Sequence, residues 1–122
     1  MGRYISAVVV VLLAVGFFVG TAISNRATEV SVSPEEISIN TYGNWVTVRA
    51  NLRYSNVDPN TLSLSGLASE SSRSDDLGRL VARFDLSGVK AIVSPPRACL
   101  ILRGQMMDGE LFEGCDTIRV YN

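Results

Sequence analysis

Residues 4–23 (YISAVVVVLLAVGFFVGTAI) run for 20 positions without a charge and with almost no polarity. Wound as a helix rising about 1.5 Å per residue, such a run is about 30 Å long, the thickness of a bilayer's hydrocarbon core. It is apolar all round, and a 122-residue chain offers too little else to wrap it inside a soluble core. The sequence therefore predicts one transmembrane-type helix within residues 1–26 and an exported domain over residues 27–122.

Three forms of the apolar segment compete. As an uncleaved anchor it keeps Arg3 in the cytoplasm, although Arg26 at the other end weakens the positive-inside bias. As a secretory signal it offers Gly20 and Ala22 as small residues before a cut at Ile23, but signal cores are typically about 7–15 residues long. As a pilin-type stem it would begin at Tyr4; Ile5-Ser6-Ala7 followed by valines and leucines is similar to the start of some archaeal pilins. Gly2-Arg3 departs from the usual pilin leader order, and no glutamate follows in the first turn. Length favours the anchor. Ala14, Gly16 and Gly20 give the helix small positions for close packing in an assembly.

Composition narrows the chemistry of the remainder. Setting aside Arg3 and Arg26, nine of the 11 basic residues face all 12 acidic ones, a net charge of −3. Neither sign is clustered along the chain, so the sequence predicts no nucleic-acid footprint and no polybasic lipid patch. Histidine is absent, which removes the commonest general base, the histidine-activated nucleophiles and the usual zinc ligand. No cofactor, metal or small-molecule substrate is expected.

Periodicity along residues 27–122 is that of strands. Val30 and Val32 alternate with polar neighbours; Pro34 interrupts them, and Ile37 and Ile39 begin a second strand. In residues 45–54 (WVTVRANLRY), Val46, Val48, Ala50, Leu52 and Tyr54 share one face, the habit of an antiparallel sheet with one side in water. Leu62 and Leu64 mark a short strand, residues 68–76 (ASESSRSDD) read as a polar surface loop, and Leu80, Ala82, Phe84 and Leu86 alternate again. Val89, Ile92 and Val93 suggest one or two helical turns capped by Ser87. Residues 98–107 and 111–121 flank Met-Asp-Gly-Glu, the strongest hairpin signal in the chain.

About seven short strands with frequent turns favour a mainly β fold, two antiparallel sheets face to face. Trp45, Leu52, Leu62, Leu64, Leu80, Phe84, Leu100, Leu102, Ile118 and Val120 are expected between them. Three stretches carry a resemblance: VDPNTLSLSGL, GRLVARFDLSGVKAIVSP and LRGQMMDGELFEGCDTIRVYN. In order and spacing they resemble a short immunoglobulin-like module of exported and surface proteins of bacteria and archaea. The resemblance implies an immunoglobulin-like β-sandwich built into larger surface architectures, with no activity of its own. Members often carry a calcium-like acidic loop before the Gly-Arg-Leu-Val strand. Here Asp75 and Asp76 stand there with Arg73 and Arg79, a poor setting for an ion that wants six to eight oxygens.

Cys99 and Cys115 lie too far apart for a Cys-x-x-Cys redox motif, and an exported domain favours a structural disulfide between them. Such a bond would add about 3 kcal/mol. With the turn centred between Asp108 and Gly109, simple pairing sets Cys99 against Ile118 and Cys115 against Leu102, so a direct bond needs a bulge at Gly104 or Gly114, or a bridge between sheets. Asp108, Glu110, Glu113 and Asp116 could form an acidic rim or weak cation site, but turn chemistry and ordinary solvation account for them better. Tyr42 and Trp45 could stack on a sugar, yet Trp45 opens the best strand and is expected in the core.

The sequence thus predicts a non-enzymatic, membrane-anchored structural or protein-interaction subunit, with the lipid bilayer and other protein subunits (copies of itself included) as partners. The alternatives are a pilin-like filament subunit and a secreted carbohydrate-binding or adhesion module.

Overall fold

A computed structural model describes residues 25–38 and 40–121. The apolar segment, with Tyr4, Ala14, Gly16, Gly20 and Ile23, lies outside the described residues, as does Ile39. Among the described residues, no helix is long and apolar enough to cross a membrane.

The described chain is mainly β: ten strands in two sheets that stack as a sandwich. The strands are β1 (Asn25–Ala27), β2 (Val30–Ser33), β3 (Glu36–Ser38), β4 (Trp45–Arg53), β5 (Val57–Leu64), β6 (Leu67–Ala68), β7 (Ser71–Ser74), β8 (Arg79–Asp85), β9 (Arg97–Met106) and β10 (Leu111–Tyr121). One sheet has the order β1-β10-β9-β5-β6, with β3 also paired to β10; the other has the order β2-β4-β8-β7. We call them the six-stranded and the four-stranded sheet.

The first three strands are one crossing segment. β1 runs parallel to β10, β2 leaves to pair antiparallel with β4, and β3 returns to run parallel with β10. The cis Ser33–Pro34 bond lies between β2 and β3. Where β2 passes β10, the Val32 amide donates to Asp116 Oδ2 at 2.9 Å, satisfying an N–H that faces away from β4. Gly114 makes room for the crossing: a Cβ there would press on the Thr28 carbonyl and lie 2.5 Å from Val30 Cγ2.

Alternation sets the core. Leu52, Leu62, Leu64, Leu80, Phe84, Leu100, Leu102, Ile118 and Val120 are buried between the sheets as expected, joined by Ile37, Val57 and Phe112. Trp45 is not among them. It is 42% exposed, because it shares the outward parity of Thr47, Arg49 and Arg53 rather than that of Val46 and Val48. Gly104 and Phe112 are directly paired across β9 and β10, and the Phe112 ring occupies the space a Cβ at Gly104 would need.

Two local expectations change. Residues 71–74, expected in a loop, form β7, an edge strand paired only to β8; its serines carry no apolar alternation to announce it. The helix α1 (Leu86–Ile92) is capped by Asp85 rather than Ser87: Asp85 Oδ2 accepts the Gly88 amide at 3.2 Å and the Ser87 hydroxyl at 2.6 Å. α1 buries Leu86 and Val89 and leaves Ile92 exposed.

Candidate functional site

The β9–β10 hairpin is the best-formed part of the six-stranded sheet, and its register differs by one from the expectation. The turn uses residues 107–110, with Met106 accepting the Gly109 amide and Gly109 at a φ of 94°. Pairing is continuous from Arg97–Arg119 to Gln105–Leu111, so neither Gly104 nor Gly114 is a bulge. Cys99 faces Thr117 and Cys115 faces Ile101, not Ile118 and Leu102. The one-residue shift places both cysteines on the outer face, one diagonal step apart. Both are exposed free thiols in this structure. A hydrogen bond with the Cys115 thiol, helped by desolvation, pushes the Cys99 pKa up. A raised pKa withholds thiolate, the opposite of what a nucleophile needs.

The acidic residues considered as a rim are each engaged in the fold. Asp108 Oδ1 accepts the Glu110 amide within the turn, and Asp116 holds Val32. Glu113 pairs with Arg103 at 2.9 Å, and Glu110 lies 3.6 Å from Arg26. Asp75, in the loop considered for calcium, accepts the amides of Leu77 and Arg79 through Oδ1 and meets Arg79 Nε through Oδ2. These donors, the Arg79 amide first, hold its carboxyl below the ordinary aspartate range. Among the described residues, no group of three or more acidic or cysteine side chains is placed to hold a metal ion.

What the sequence did not announce is the outer face of the four-stranded sheet. Strand pairing gathers Arg49, Arg53, Arg73, Arg79 and Arg83 there, although they are spread over 35 positions of the chain. Arg49 and Arg73 sit directly opposite Val81, one on each neighbouring strand. Arg79 and Arg83 flank Val81 two residues away along β8. Val81 points outward yet is only 1% exposed and stands apart from the sandwich core. Four arginines surround it on the paired strands, and their aliphatic stems are long enough to cover it. Arg53 extends the row opposite Arg79. At the other end the Arg83 guanidinium lies over the Trp45 ring, 5.9 Å from its centroid.

Of these five arginines Arg79 alone makes an ion pair among the described residues, with Asp75 at 3.3 Å. A groove of about 680 Å³ runs from this face over the β2 edge, lined by Glu29, Ser31, Arg49 and Arg79 and reaching Cys115. Tyr42, in the loop before β4, is 94% exposed. The expectation that neither charge is clustered holds along the sequence and fails in space.

No family model matches the chain, and no curated protein and no solved structure is significantly similar to it.

Proposed function

We propose that the chain is a non-enzymatic subunit, anchored by its apolar N-terminal segment, that presents an immunoglobulin-like sandwich outside the cytoplasm for contact with other proteins, copies of itself included. The strand order supports the immunoglobulin-like part of this reading. In an immunoglobulin domain one sheet runs A-B-E-D and the other contains G-F-C. Here β2-β4-β8-β7 corresponds to the first and β10-β9-β5 to the second, with β6 in the place of an added C′ strand. The resemblance to surface modules of bacteria and archaea points the same way. A non-catalytic role is supported by the lack of histidine and by carboxylates already occupied in turns and ion pairs.

In that compartment Cys99 and Cys115 close a disulfide across the hairpin. Their diagonal placement on one face supports this, and an oxidising environment permits it. Mass spectrometry of alkylated, unreduced native protein tests the bond; two alkylated thiols would refute it.

The anchor is tested by protease treatment of intact cells followed by N-terminal sequencing of the native protein. Loss of the domain to external protease, with a start at Met1 or Gly2, is the expected result. A start at Tyr4 would indicate a pilin-like filament subunit, one at Ile23 a secreted module, and a protected domain would overturn export.

A further inference from the structure

We propose that the outer face of the four-stranded sheet is a binding surface for an anionic polysaccharide, with Arg49, Arg73, Arg79 and Arg83 as a cationic frame around Val81 and Trp45 as a stacking platform beside it. The first ground is charge. Arg49, Arg53, Arg73 and Arg83 have no carboxylate within ion-pair distance among the described residues, and Arg53 sits directly opposite Arg79. Like charges facing each other across strands destabilise a sheet, and here five arginines share one face with a single carboxylate in ion-pair reach among the described residues.

The second ground is preorganisation. Arginine stems ranged around a buried valine have an apolar surface to lie on, which limits where the guanidinium groups stand and lowers the entropy lost when they are engaged. Strand spacing sets Arg49 and Arg73 about 10 Å apart, and strand rise sets Arg79 and Arg83 about 13 Å apart. This is a grid of cations suited to successive acid groups on an extended polymer. All five are arginines, whose planar forks bind carboxylate or sulfate through two bonds.

The third ground separates a glycan from other polyanions. Single-stranded nucleic acid is held on sheets by aromatic side chains under successive bases, and among the described residues the strands of this face present only Trp45. A duplex is read by an element inserted into a groove, whereas the arginines here stand on paired strands of a sheet. A bilayer surface is gripped by several apolar side chains inserted beside the cations; Val81 is too deeply covered to insert, which leaves Leu77 in the β7–β8 turn and the partly exposed Trp45. One indole at the margin of a cation grid suits a sugar ring, which packs on the exposed part of the indole beside Arg83 while its acid groups meet the arginines.

The proposal rests on the extracytoplasmic reading only for where the glycan is met. Binding with a cytoplasmic location would sink that reading alone; a surface-exposed domain without binding would sink this one alone.

The test measures binding of the full-length chain, in an uncharged detergent, to polygalacturonate and heparin. Double-stranded DNA, single-stranded RNA, polyglutamate and vesicles containing phosphatidylglycerol are the competing probes. The expected result is glycan binding tighter than to any competitor, weakening about 10- to 50-fold between 50 and 200 mM salt, as for a few released counterions. The R49Q/R73Q/R83Q variant should lose at least about tenfold in affinity, Trp45→Ala about threefold with the salt slope unchanged, and R97Q/R103Q on the other sheet nothing. Should the triple variant fail to fold, arginine modification of the wild-type protein by phenylglyoxal, read by mass spectrometry, replaces it. Glycan should then protect Arg49, Arg53, Arg73, Arg79 and Arg83 and leave Arg97 reactive. Unchanged affinity in the folded triple variant, no protection, or tighter binding to a competitor would overturn the proposal.

Discussion

The two outward faces of this sandwich share one core and differ in how their charges are settled. On the six-stranded sheet Arg103 meets Glu113, and the Arg119 guanidinium is stabilised by Tyr121 and then Glu36, which raises its pKa. Arg26, on the neighbouring edge strand, lies near Glu110. On the four-stranded sheet, among the described residues, only Arg79 of the five arginines has an acidic ion-pair partner. Both faces obey the same alternation, so alternation does not explain the contrast. It arises from which strands lie side by side: acidic residues of β3 and β10 fall beside Arg119 and Arg103, with Arg97 opposite Arg119 as the exception, while β4, β7 and β8 bring five arginines onto one face. The first arrangement stabilises the fold, and the second leaves charge available to something else.

Core substitutions break the comparison at its root, because the inner faces belong to both sheets. Phe84→Ala in the four-stranded sheet and Phe112→Ala in the six-stranded one should each cost about 3–5 kcal/mol in chemical denaturation. Each should also shift a single unfolding transition. Two separate transitions would mean that the sheets are not one cooperative unit. Next in size is Gly114→Val, which drives a side chain into the Thr28 carbonyl and Val30. It should destabilise by about 1–3 kcal/mol and lower hydrogen-exchange protection in β1 and β2 before β8.

Asp116→Ala removes the acceptor of the Val32 amide and should cost about 1–2 kcal/mol by the same measurement. Smaller changes sharpen the contrast by their sign. Arg73→Gln on the unpaired face should leave stability within about 0.5 kcal/mol, rising at low salt as repulsion is relieved. Arg103→Gln, which breaks the pair with Glu113, should lower it by a comparable amount. The smallest effect concerns pH. Asp75 is held below its ordinary range, so its contribution is present at neutral pH and is lost as acid titrates it, from about pH 4 downward. An Asp75→Asn variant should therefore show a shallower acid limb in a stability–pH profile.

Much of the body was legible from residue order alone. Period-two runs placed β4 and β8, and Met-Asp-Gly-Glu placed the β9–β10 turn, because apolar alternation and turn glycines act locally. The same alternation, followed strictly, also puts Trp45 outside; its place at the head of the best strand argued for the core, and parity prevailed. The serine strand β7 was hidden because an edge strand with little burial carries no apolar pattern. The arginine face was hidden for a deeper reason. Arg49, Arg73 and Arg83 become neighbours only when β4 and β7 both pair with β8, and that choice is not written in any one segment. Likewise a single step of hairpin register separated two cysteines thought to need a bulge from two that lie diagonally on one face.

The most direct measurement is an NMR titration of the isotope-labelled full-length chain, in uncharged micelles, with polygalacturonate. It would follow backbone amides and arginine Nε–H signals together. Shifts concentrated in β4, β7 and β8, with the signals of Arg49, Arg73 and Arg83 moving most and those of Arg103 and Arg119 still, are the predicted result. Shifts centred on β9 and β10, or none at saturating glycan, would contradict the division of labour between the two faces.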